Sequence, residues 1–280
     1  MTAKNATLKI VANIFIFLMV FLAVYPLILM IFGSFKTNIE LSANPSGIPI
    51  DPTIINYAKL FTFSGGMIAQ SLLNSVYVSA VTTALTLFLS ALAAFAFSKY
   101  KFKGRNVIFL LLFSTMLIPV ELIIPPLYII FSKINWLNSY SVQIFPFIAN
   151  VFALFMMKQF MTSIPDSIIE SARIDGAGHL RIFFYIILPC STPVISVLGI
   201  LVFLNRWGEY LWPSLMISRT RYAPIMQVLP ILSDGSGIAR SVPWEVILAG
   251  CTIITIPVII VFYIFQDKFM SGVTLGAVKE

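Results

Sequence analysis

Six long apolar stretches constrain this chain more than any other feature of its sequence. They cover approximately residues 10–32, 72–97, 107–131, 142–160, 183–204 and 246–265. A helix needs about 20 apolar residues to cross a bilayer, because lipid offers no hydrogen-bond partner to an unpaired backbone group. Charged residues make up only 10% of the chain, against roughly 25% in soluble domains. The sequence therefore predicts an all-α integral membrane protein, a single domain over residues 1–280 with six transmembrane helices.

The basic excess of the chain is best interpreted as membrane topology. The formal charge is +7, but the basic residues are too scattered among apolar runs to follow nucleic-acid phosphates, so no nucleic-acid partner is expected. Four of them lie in the short connection 98–106, SKYKFKGRN, and the positive-inside rule places such a loop in the cytoplasm. We therefore expect a multi-pass protein of the plasma membrane with both termini cytoplasmic.

The parts of the chain outside these stretches carry little chemistry of their own. One His and two Cys residues are too few for a metal centre built from soft ligands. The chain has no Gly-x4-Gly-Lys-Ser/Thr loop, so any ATP hydrolysis belongs to another polypeptide and the chain is not expected to be an enzyme. Segments 33–70 and 205–244 are predicted to form short helices and loops on the outer side. The tail 266–280 is placed inside, either against a partner or free.

The segment 161–189, MTSIPDSIIESARIDGAGHLRIFFYIILP, connects the fourth and fifth stretches. A short helix is predicted to start at Asp166 and to end at Gly176, because glycine readily adopts the left-handed conformation that terminates helices. A second helix follows from near His179 into the fifth stretch. Ala172 and Gly176, spaced i and i+4, are expected to share a nearly flat face that suits close docking. A plain connecting loop is the alternative.

The same segment resembles the signature of ABC-importer permeases, E-A-A-x3-G-x9-I-x-L-P. The matching residues are Glu170, Ala172, Gly176, Ile186, Leu188 and Pro189, and Ser171 stands at the signature's second position, where the signature has alanine. Further stretches resemble the carbohydrate uptake branch, in particular the second permease subunit of maltose-type importers, over essentially the whole chain. They are INY at 55–57, FAFSKYKFKGRN at 95–106, IPPLYIIF at 124–131, WGEYLWP at 207–213 and the ending FQDKFMSGVTLGAVKE.

The resemblance implies one permease subunit of a binding-protein-dependent carbohydrate importer that works by alternating access. Its implied partners are a second, different permease, two copies of a cytoplasmic ABC ATPase and an extracytoplasmic sugar-binding protein. No cofactor is implied for this chain, since ATP and Mg²⁺ belong to the ATPase. The short cytoplasmic helix between the fourth and fifth spans is implied to couple the chain to the ATPase. The residues given this role are Glu170, Ser171, Ala172, Arg173, Asp175 and Gly176.

Polar residues at membrane depth are candidates for the translocation pathway. A carboxylate at that depth costs about 3 kcal/mol and usually faces a bundle interior or water. The candidates are Glu121, Tyr128, Asn150 and Asn205. The alternative for Glu121 is a role in packing or in an interface with another subunit. The alternative for Asn150 is a hydrogen bond between neighbouring helices.

The aromatic cluster after the fifth stretch has two interpretations. Trp207, Glu209 and Tyr210 are candidates for contact with the binding protein on the outer side. Aromatic residues also serve as anchors at the membrane boundary, so that role is the alternative.

An ion-coupled secondary transporter of a small polar solute is the alternative function. It would need intramembrane charges for the ion, whereas Glu121 is the one clear charge at depth. It would also leave the signature in 170–189 unexplained. Uptake that is sensitive to vanadate would favour the ATP-driven importer. Uptake that collapses when an ionophore is added would favour the ion-coupled transporter.

Overall fold

The structure, a computed structural model, describes residues 3–232 and 243–277, with side chains for 9–62, 65–232 and 243–265. The described residues form helices and connecting turns, with no strand among them, which confirms the all-α class. Part of the segment 205–244, residues 233–242, lies outside the described residues. The tail expected from residue 266 continues the last helix to Ala277.

The helices are numbered in chain order. They are α1 Ala3–Ser34, α2 Asn38–Ala43, α3 Ile55–Thr62, α4 Met67–Lys99, α5 Arg105–Ser114, α6 Val120–Lys133, α7 Tyr140–Ile144, α8 Val151–Thr162, α9 Asp166–Ile174, α10 His179–Ile182, α11 Leu188–Cys190, α12 Thr192–Trp207, α13 Leu211–Met216, α14 Ile225–Val228 and α15 Trp244–Ala277. Short 3-10 helices lie between several of these α-helices. A π-helical segment, Phe183–Ile187, joins α10 to α11.

Four segments are each long and apolar enough to cross a membrane. They are Lys9–Ser34, Met67–Lys99, Tyr140–Thr162 and Trp244–Phe265. The third and fifth predicted stretches are each bent, by 98° between α5 and α6 and by 76° between α11 and α12. Proline accounts for both positions, since Pro119 precedes α6 and Pro193 lies in the first turn of α12, where a missing N–H is tolerated. The described residues therefore provide four spans, or up to six if each bent pair is one span.

The chain forms two compact units, of which the first comprises residues 1–69 and 228–257. In this first unit, a buried lysine holds together the segment that follows α1. The side chain of Lys36 is fully buried, and its Nζ donates hydrogen bonds of 2.6 Å to the carbonyl oxygens of Asn44 and Gly47. These bonds satisfy carbonyl groups that the short helices leave free. The segment therefore folds into short helices and turns, as the sequence predicts.

The second unit comprises residues 70–227 and 258–280. Its core joins α4, α8, α9 and the helices that follow α9. The buried side chains of this core are Ala91, Ala94, Phe95, Ala153, Leu154, Met157, Met161, Ile164, Ile169, Ile182, Phe183, Ile187, Val194 and Leu198. The two alanines of α4 are fully buried, which lets neighbouring backbones approach closely. This core holds the α9–α10 hairpin against the bundle.

Candidate functional site

Helix α9 begins and ends where the sequence predicts. Asp166 lies in its first turn, where a negative charge favours the helix dipole. At the other end Gly176 has a φ of +78°. The Gly176 amide donates to the Arg173 carbonyl at 3.0 Å and the Ala177 amide to the Ala172 carbonyl at 2.9 Å. This pair of bonds is a Schellman motif, and its left-handed position suits glycine.

The exposed face of α9 differs from the expected flat surface. Ile169 is buried and Ala172 is half-buried, and both pack against the core of the second unit. Ala172 therefore does not share an open face with Gly176, and this expectation is corrected. Ile174, which was not among the predicted residues, is 87% exposed, and Leu180 in α10 is also exposed. The remaining exposed residues of the predicted coupling set are Glu170, Ser171, Arg173, Asp175 and Gly176.

The end of α4 holds the beginning of α9. The Lys99 side chain is only 3% exposed, and its Nζ donates to the Ile164 carbonyl and, at 2.8 Å, to Oδ1 of Asp166. The hydrogen bond from Lys99 and then its charge lower the pKa of the Asp166 carboxyl below its usual value. Sequence reasoning counted Lys99 only as a topology signal. Its partners lie more than 60 residues away, so the sequence alone offered no sign of this contact.

Tyr100 extends the same contact to the far side of the hairpin. Its hydroxyl shares a 2.6 Å hydrogen bond with Nδ1 of His179, and the guanidinium of Arg173 lies 5.8 Å from its ring centroid. Nη1 of Arg105 donates to the Tyr100 carbonyl at 3.2 Å. Lys99 and Tyr100 thus contact both arms of the α9–α10 hairpin, and we call these two residues the α4 clamp.

A cavity of about 630 Å³ lies within the second unit. Its lining is formed by Thr82, Val120, Glu121, Phe147, Asn150, Phe152, Leu198, Leu201, Val202, Asn205, Arg206 and Glu209. Three of the four predicted pathway residues, Glu121, Asn150 and Asn205, are brought together there. The fourth, Tyr128, is exposed and is not part of this lining.

Breaks in the helices place these polar residues. Glu121 lies in the first turn of α6, directly after the bend at Pro119. Asn150 precedes α8, and its Oδ1 accepts a 2.9 Å hydrogen bond from the Ala153 amide, which caps that helix. Asn205 lies in the last turn of α12. The helix ends, rather than continuous helices, therefore bring carboxylate and amide groups to the cavity.

An ion pair borders the cavity. Nη2 of Arg206 donates to Oε2 of Glu209 at 2.9 Å and to Oδ1 of Asn205 at 3.2 Å. The guanidinium lies 3.6 Å from the ring centroid of Phe147, and Oε1 of Glu209 accepts from the Trp212 amide at 3.1 Å. The sequence analysis missed Arg206, although its spacing of three residues from Glu209 on a helix end was a usable signal.

The same pair also borders a second, much smaller cavity of about 10 Å³. Ser79 lines it and is buried without a hydrogen-bond partner, and Gln143 lines it as well. A space of this size lined by polar groups suits one ordered water molecule. Thr82, one turn further along α4, has a buried hydroxyl without a partner at the larger cavity. Side chains of α4 thus offer free hydroxyl groups on both sides of the ion pair.

The three residues predicted to contact a binding protein have different environments. Trp207 is 3% exposed and Glu209 is bound to Arg206. Tyr210 is 49% exposed. In this conformation only the tyrosine presents most of its side chain at the surface. No group of three or more His, Cys, Asp or Glu side chains that could hold a metal ion occurs in the described part of the chain.

Comparisons with known proteins agree with this architecture. Residues 86–274 match the family model of the binding-protein-dependent transport system inner membrane component. The chain is 33% identical over 273 residues to the arabinooligosaccharides transport system permease protein AraQ of Bacillus subtilis (strain 168), covering 97% of this chain and 96% of that protein. It is also 33% identical to the polygalacturonan/rhamnogalacturonan transport system permease protein YtcP of the same strain, with 99% of each chain covered.

A solved structure shares the fold. It is a chain from a bacterial ABC transporter involved in the import of the acidic polysaccharide alginate, with a TM-score of 0.86 and 21% identity over 96% of this chain and 99% of that chain. The family match covers more than half of the sequence, and the relatives match along nearly their whole length. The chain therefore belongs to the family of inner membrane components of binding-protein-dependent transport systems.

Proposed function

We propose that this chain is one of two different permease subunits of an oligosaccharide importer that is driven by a separate ABC ATPase. The cavity is the observation that carries the proposal. Glu121, Asn150 and Asn205 offer hydrogen-bond partners for sugar hydroxyls, and the exposed Phe152 offers an aromatic face for a sugar ring. The names of AraQ and YtcP state that those relatives transport saccharides. ATP and Mg²⁺ are used by the ATPase, and this chain needs no cofactor.

The proposed topology has six spans in one permease domain, with both termini in the cytoplasm. Each bent pair, α5 with α6 and α10–α11 with α12, is one span, since irregular backbone at membrane depth is tolerated where it lines a cavity. The connection 98–106 carries four of the 18 basic residues and is cytoplasmic by the positive-inside rule. The α9–α10 hairpin then lies on the same side of the membrane, and Tyr210 lies outside, where it contacts the binding protein together with Trp207 and Glu209.

The α9–α10 hairpin is the proposed docking site for the ATPase. Glu170, Ser171, Ile174, Asp175 and Gly176 are exposed there, and the apolar Ile174 is 87% exposed among the residues that the structure describes. An exposed isoleucine at the tip of a short helix suits a pocket on a partner.

Helix α4 gives this docking site a physical route to the cavity. The α4 clamp holds the hairpin at one end of the helix, and Thr82 lines the cavity 17 residues earlier. Seventeen helical residues span about 26 Å. A displacement of the hairpin by the ATPase is therefore transmitted to the cavity wall through one continuous helix.

Transport by the assembled complex tests the proposed function. The chain is purified with its partner subunits, reconstituted in vesicles and supplied with binding protein and labelled arabino- or galacturono-oligosaccharides. We expect uptake that requires ATP and is blocked by vanadate. Uptake that is insensitive to vanadate and collapses with an ionophore would contradict the proposal and favour an ion-coupled transporter.

Two substitutions at Gly176 test the docking site. Both Gly176→Ala and Gly176→Trp introduce a side chain at a positive φ, but only tryptophan adds bulk on the partner side. No atom of the described chain lies within 4 Å of an added Cβ there. We expect Gly176→Trp to abolish sugar-stimulated ATP hydrolysis and Gly176→Ala to retain most of it. Gly178→Trp adds the same bulk to the same turn at an ordinary φ, so its effect on ATP hydrolysis reports bulk without backbone strain, and we expect a loss there as well.

Equal activity of Gly176→Ala and Gly176→Trp would show that backbone strain, and not docking, explains any loss. Wild-type activity of Gly176→Trp would remove the hairpin tip from the docking site.

A further inference from the structure

The lining of the large cavity carries an excess of negative charge. Its ionisable side chains are those of Glu121, Arg206 and Glu209. Arg206 and Glu209 neutralise each other, since Nη2 of the arginine lies 2.9 Å from Oε2 of the glutamate. Glu121 belongs to neither of the two ion pairs found in the described part of the chain, which are Lys99–Asp166 and Arg206–Glu209. One uncompensated carboxylate therefore lines the cavity.

The arginine of the lining has little left to offer an anion. Its side chain is only 10% exposed. Nη2 donates to Oδ1 of Asn205 as well as to Glu209, and the guanidinium lies 3.6 Å from the ring centroid of Phe147. A substrate carboxylate that takes its place beside Arg206 must displace Glu209, which leaves that half-buried carboxylate unpaired at a large cost.

The position of Glu121 favours its ionised form. It lies in the first turn of α6, where the helix dipole stabilises negative charge. The residue is exposed and lines the cavity, so water reaches the carboxylate. A neutral glutamic acid would not repel an anion, so this ionised state matters for what the cavity admits.

Much of the remaining lining is apolar or neutral. Four of its side chains are aliphatic, those of Val120, Leu198, Leu201 and Val202. Thr82 also lines the cavity, and its buried hydroxyl has no partner in the part of the chain that the structure describes. Apolar walls screen charge poorly, so the field of one carboxylate extends across a cavity of this kind.

We propose that the saccharide carried through this cavity is neutral, and that Glu121 is the residue that discriminates against acidic sugars. This inference rests on the proposed function, because it assigns the class of saccharide that passes through the same cavity. Carboxylates accept strong hydrogen bonds, so hydroxyl groups of a neutral sugar gain from Glu121. The carboxylate of a uronic acid is repelled by the same group. Discrimination against a competitor by an unfavourable charge is a common source of specificity.

A matched pair of sugars tests this inference on the purified transporter with its partner subunits. The probes are a galacturonate trisaccharide and its methyl ester, which share one carbon skeleton but differ in charge. The affinity of the complex for each labelled sugar is measured by equilibrium dialysis at neutral pH, without binding protein. We expect wild type to bind the ester roughly tenfold more tightly than the acid. Glu121→Gln should remove most of this difference, and Glu121→Lys should reverse its sign.

Asp51→Asn is the matched control, because Asp51 is an exposed carboxylate that is not part of the lining. The ratio of the two affinities should stay at its wild-type value in this variant. It should also fall towards one at high salt, since salt screens the repulsion.

Equal binding of acid and ester by wild type, or an unchanged ratio in Glu121→Gln, would overturn the inference. Failure of both sugars to bind would overturn it as well, since the cavity would then not be the saccharide site. Loss of partner subunits from the Glu121→Gln complex would assign Glu121 to a subunit interface instead. ATP-dependent uptake of acidic oligosaccharides alone would also overturn the inference, but it would leave the proposed importer standing. Only uptake that collapses with an ionophore would contradict the proposed function itself.

Discussion

The two ion pairs of the second unit differ in what they connect. Lys99–Asp166 joins the end of α4 to the start of α9, across 67 residues of sequence, and its carboxylate side chain is 75% exposed. Arg206–Glu209 spans three residues, and its two side chains are 10% and 26% exposed. The lysine of the first pair is buried, whereas its partner is solvated. In the second pair both groups are largely removed from water.

This difference separates two physical roles. A local and largely buried pair is costly to break, because either partner left alone is an uncompensated charge. A pair with an exposed carboxylate contributes little to stability, but it fixes the position of one element relative to another. We therefore expect the cavity pair to govern stability and the charge of the cavity. The pair in the α4 clamp should govern coupling between hairpin and bundle.

The largest expected effect is on stability at the cavity. Glu209→Gln leaves the Arg206 guanidinium without its carboxylate and should lower the free energy of unfolding by about 2–3 kcal/mol. The double variant Arg206→Met/Glu209→Gln should recover part of this loss, because no charge is left unpaired. Thermal unfolding of the purified transporter measures both. Glu121→Gln is the control, since Glu121 lines the same cavity without an ion pair among the described residues. A double variant no more stable than Glu209→Gln would contradict this account.

The second effect is on coupling. Lys99→Met removes the bonds to Ile164 and Asp166 and should cost only about 1–2 kcal/mol of stability. It should raise the number of ATP molecules hydrolysed for each sugar transported, because the hairpin moves without carrying α4. Lys101→Met, two residues further on and exposed, is the matched control. Lys99→Met with a wild-type ratio of hydrolysis to transport would remove the α4 clamp from the coupling route.

A smaller effect is expected for the other half of the clamp. Tyr100→Phe keeps the ring that packs against Phe95 and Arg173 but loses the hydroxyl bond to His179. The expected loss is about 0.5–1 kcal/mol, with a slight rise in the same ratio. Tyr100→Ala should lose more, since packing goes too. Equal effects of the two variants would show that the hydroxyl bond carries the whole contribution.

The smallest effect is the pH dependence of the exposed pair. Lys99 lowers the folded-state pKa of Asp166, so the pair stabilises the fold fully above the ordinary carboxyl pKa of about 4. This contribution is lost as the pH falls through the lowered value. The difference in melting temperature between wild type and Asp166→Asn should therefore shrink at acid pH. A difference that grows on acidification would have the wrong sign for this mechanism.

Much of the candidate site could be predicted from local sequence. Asp166 and Gly176 bound a short helix because first-turn acids and left-handed glycines act within a few residues. Glu121, Asn150 and Asn205 are three of the four predicted pathway residues, because each is a polar group within or next to an apolar stretch, and the cavity brings these three together. The bend of 76° before α12 was not predicted, although Pro193 was visible in the sequence. Proline permits a break, but packing decides whether a helix bends there.

The residues that were missed depend on distant contacts. From the sequence, Lys99 is one of four basic residues in a predicted loop. In the structure its side chain is buried beside the start of α9. Ala172 fitted a docking signature by its small size, yet it packs inward, while Ile174 is the most exposed apolar residue of α9. Both outcomes depend on how α9 is rotated against α4 and α8.

The sequence by itself determined that lipid surrounds this protein, that its fold is helical, and where α9 starts and ends. The length of an apolar stretch and the positions of proline and glycine act through the backbone within a few residues. Their effects on secondary structure can therefore be predicted without knowing the tertiary structure. Only the tertiary structure decided which charges pair, which face of α9 is open and which helix ends meet at the cavity. Those outcomes depend on side chains brought together from segments tens of residues apart, where close packing and the cost of an unpaired buried charge select the partner.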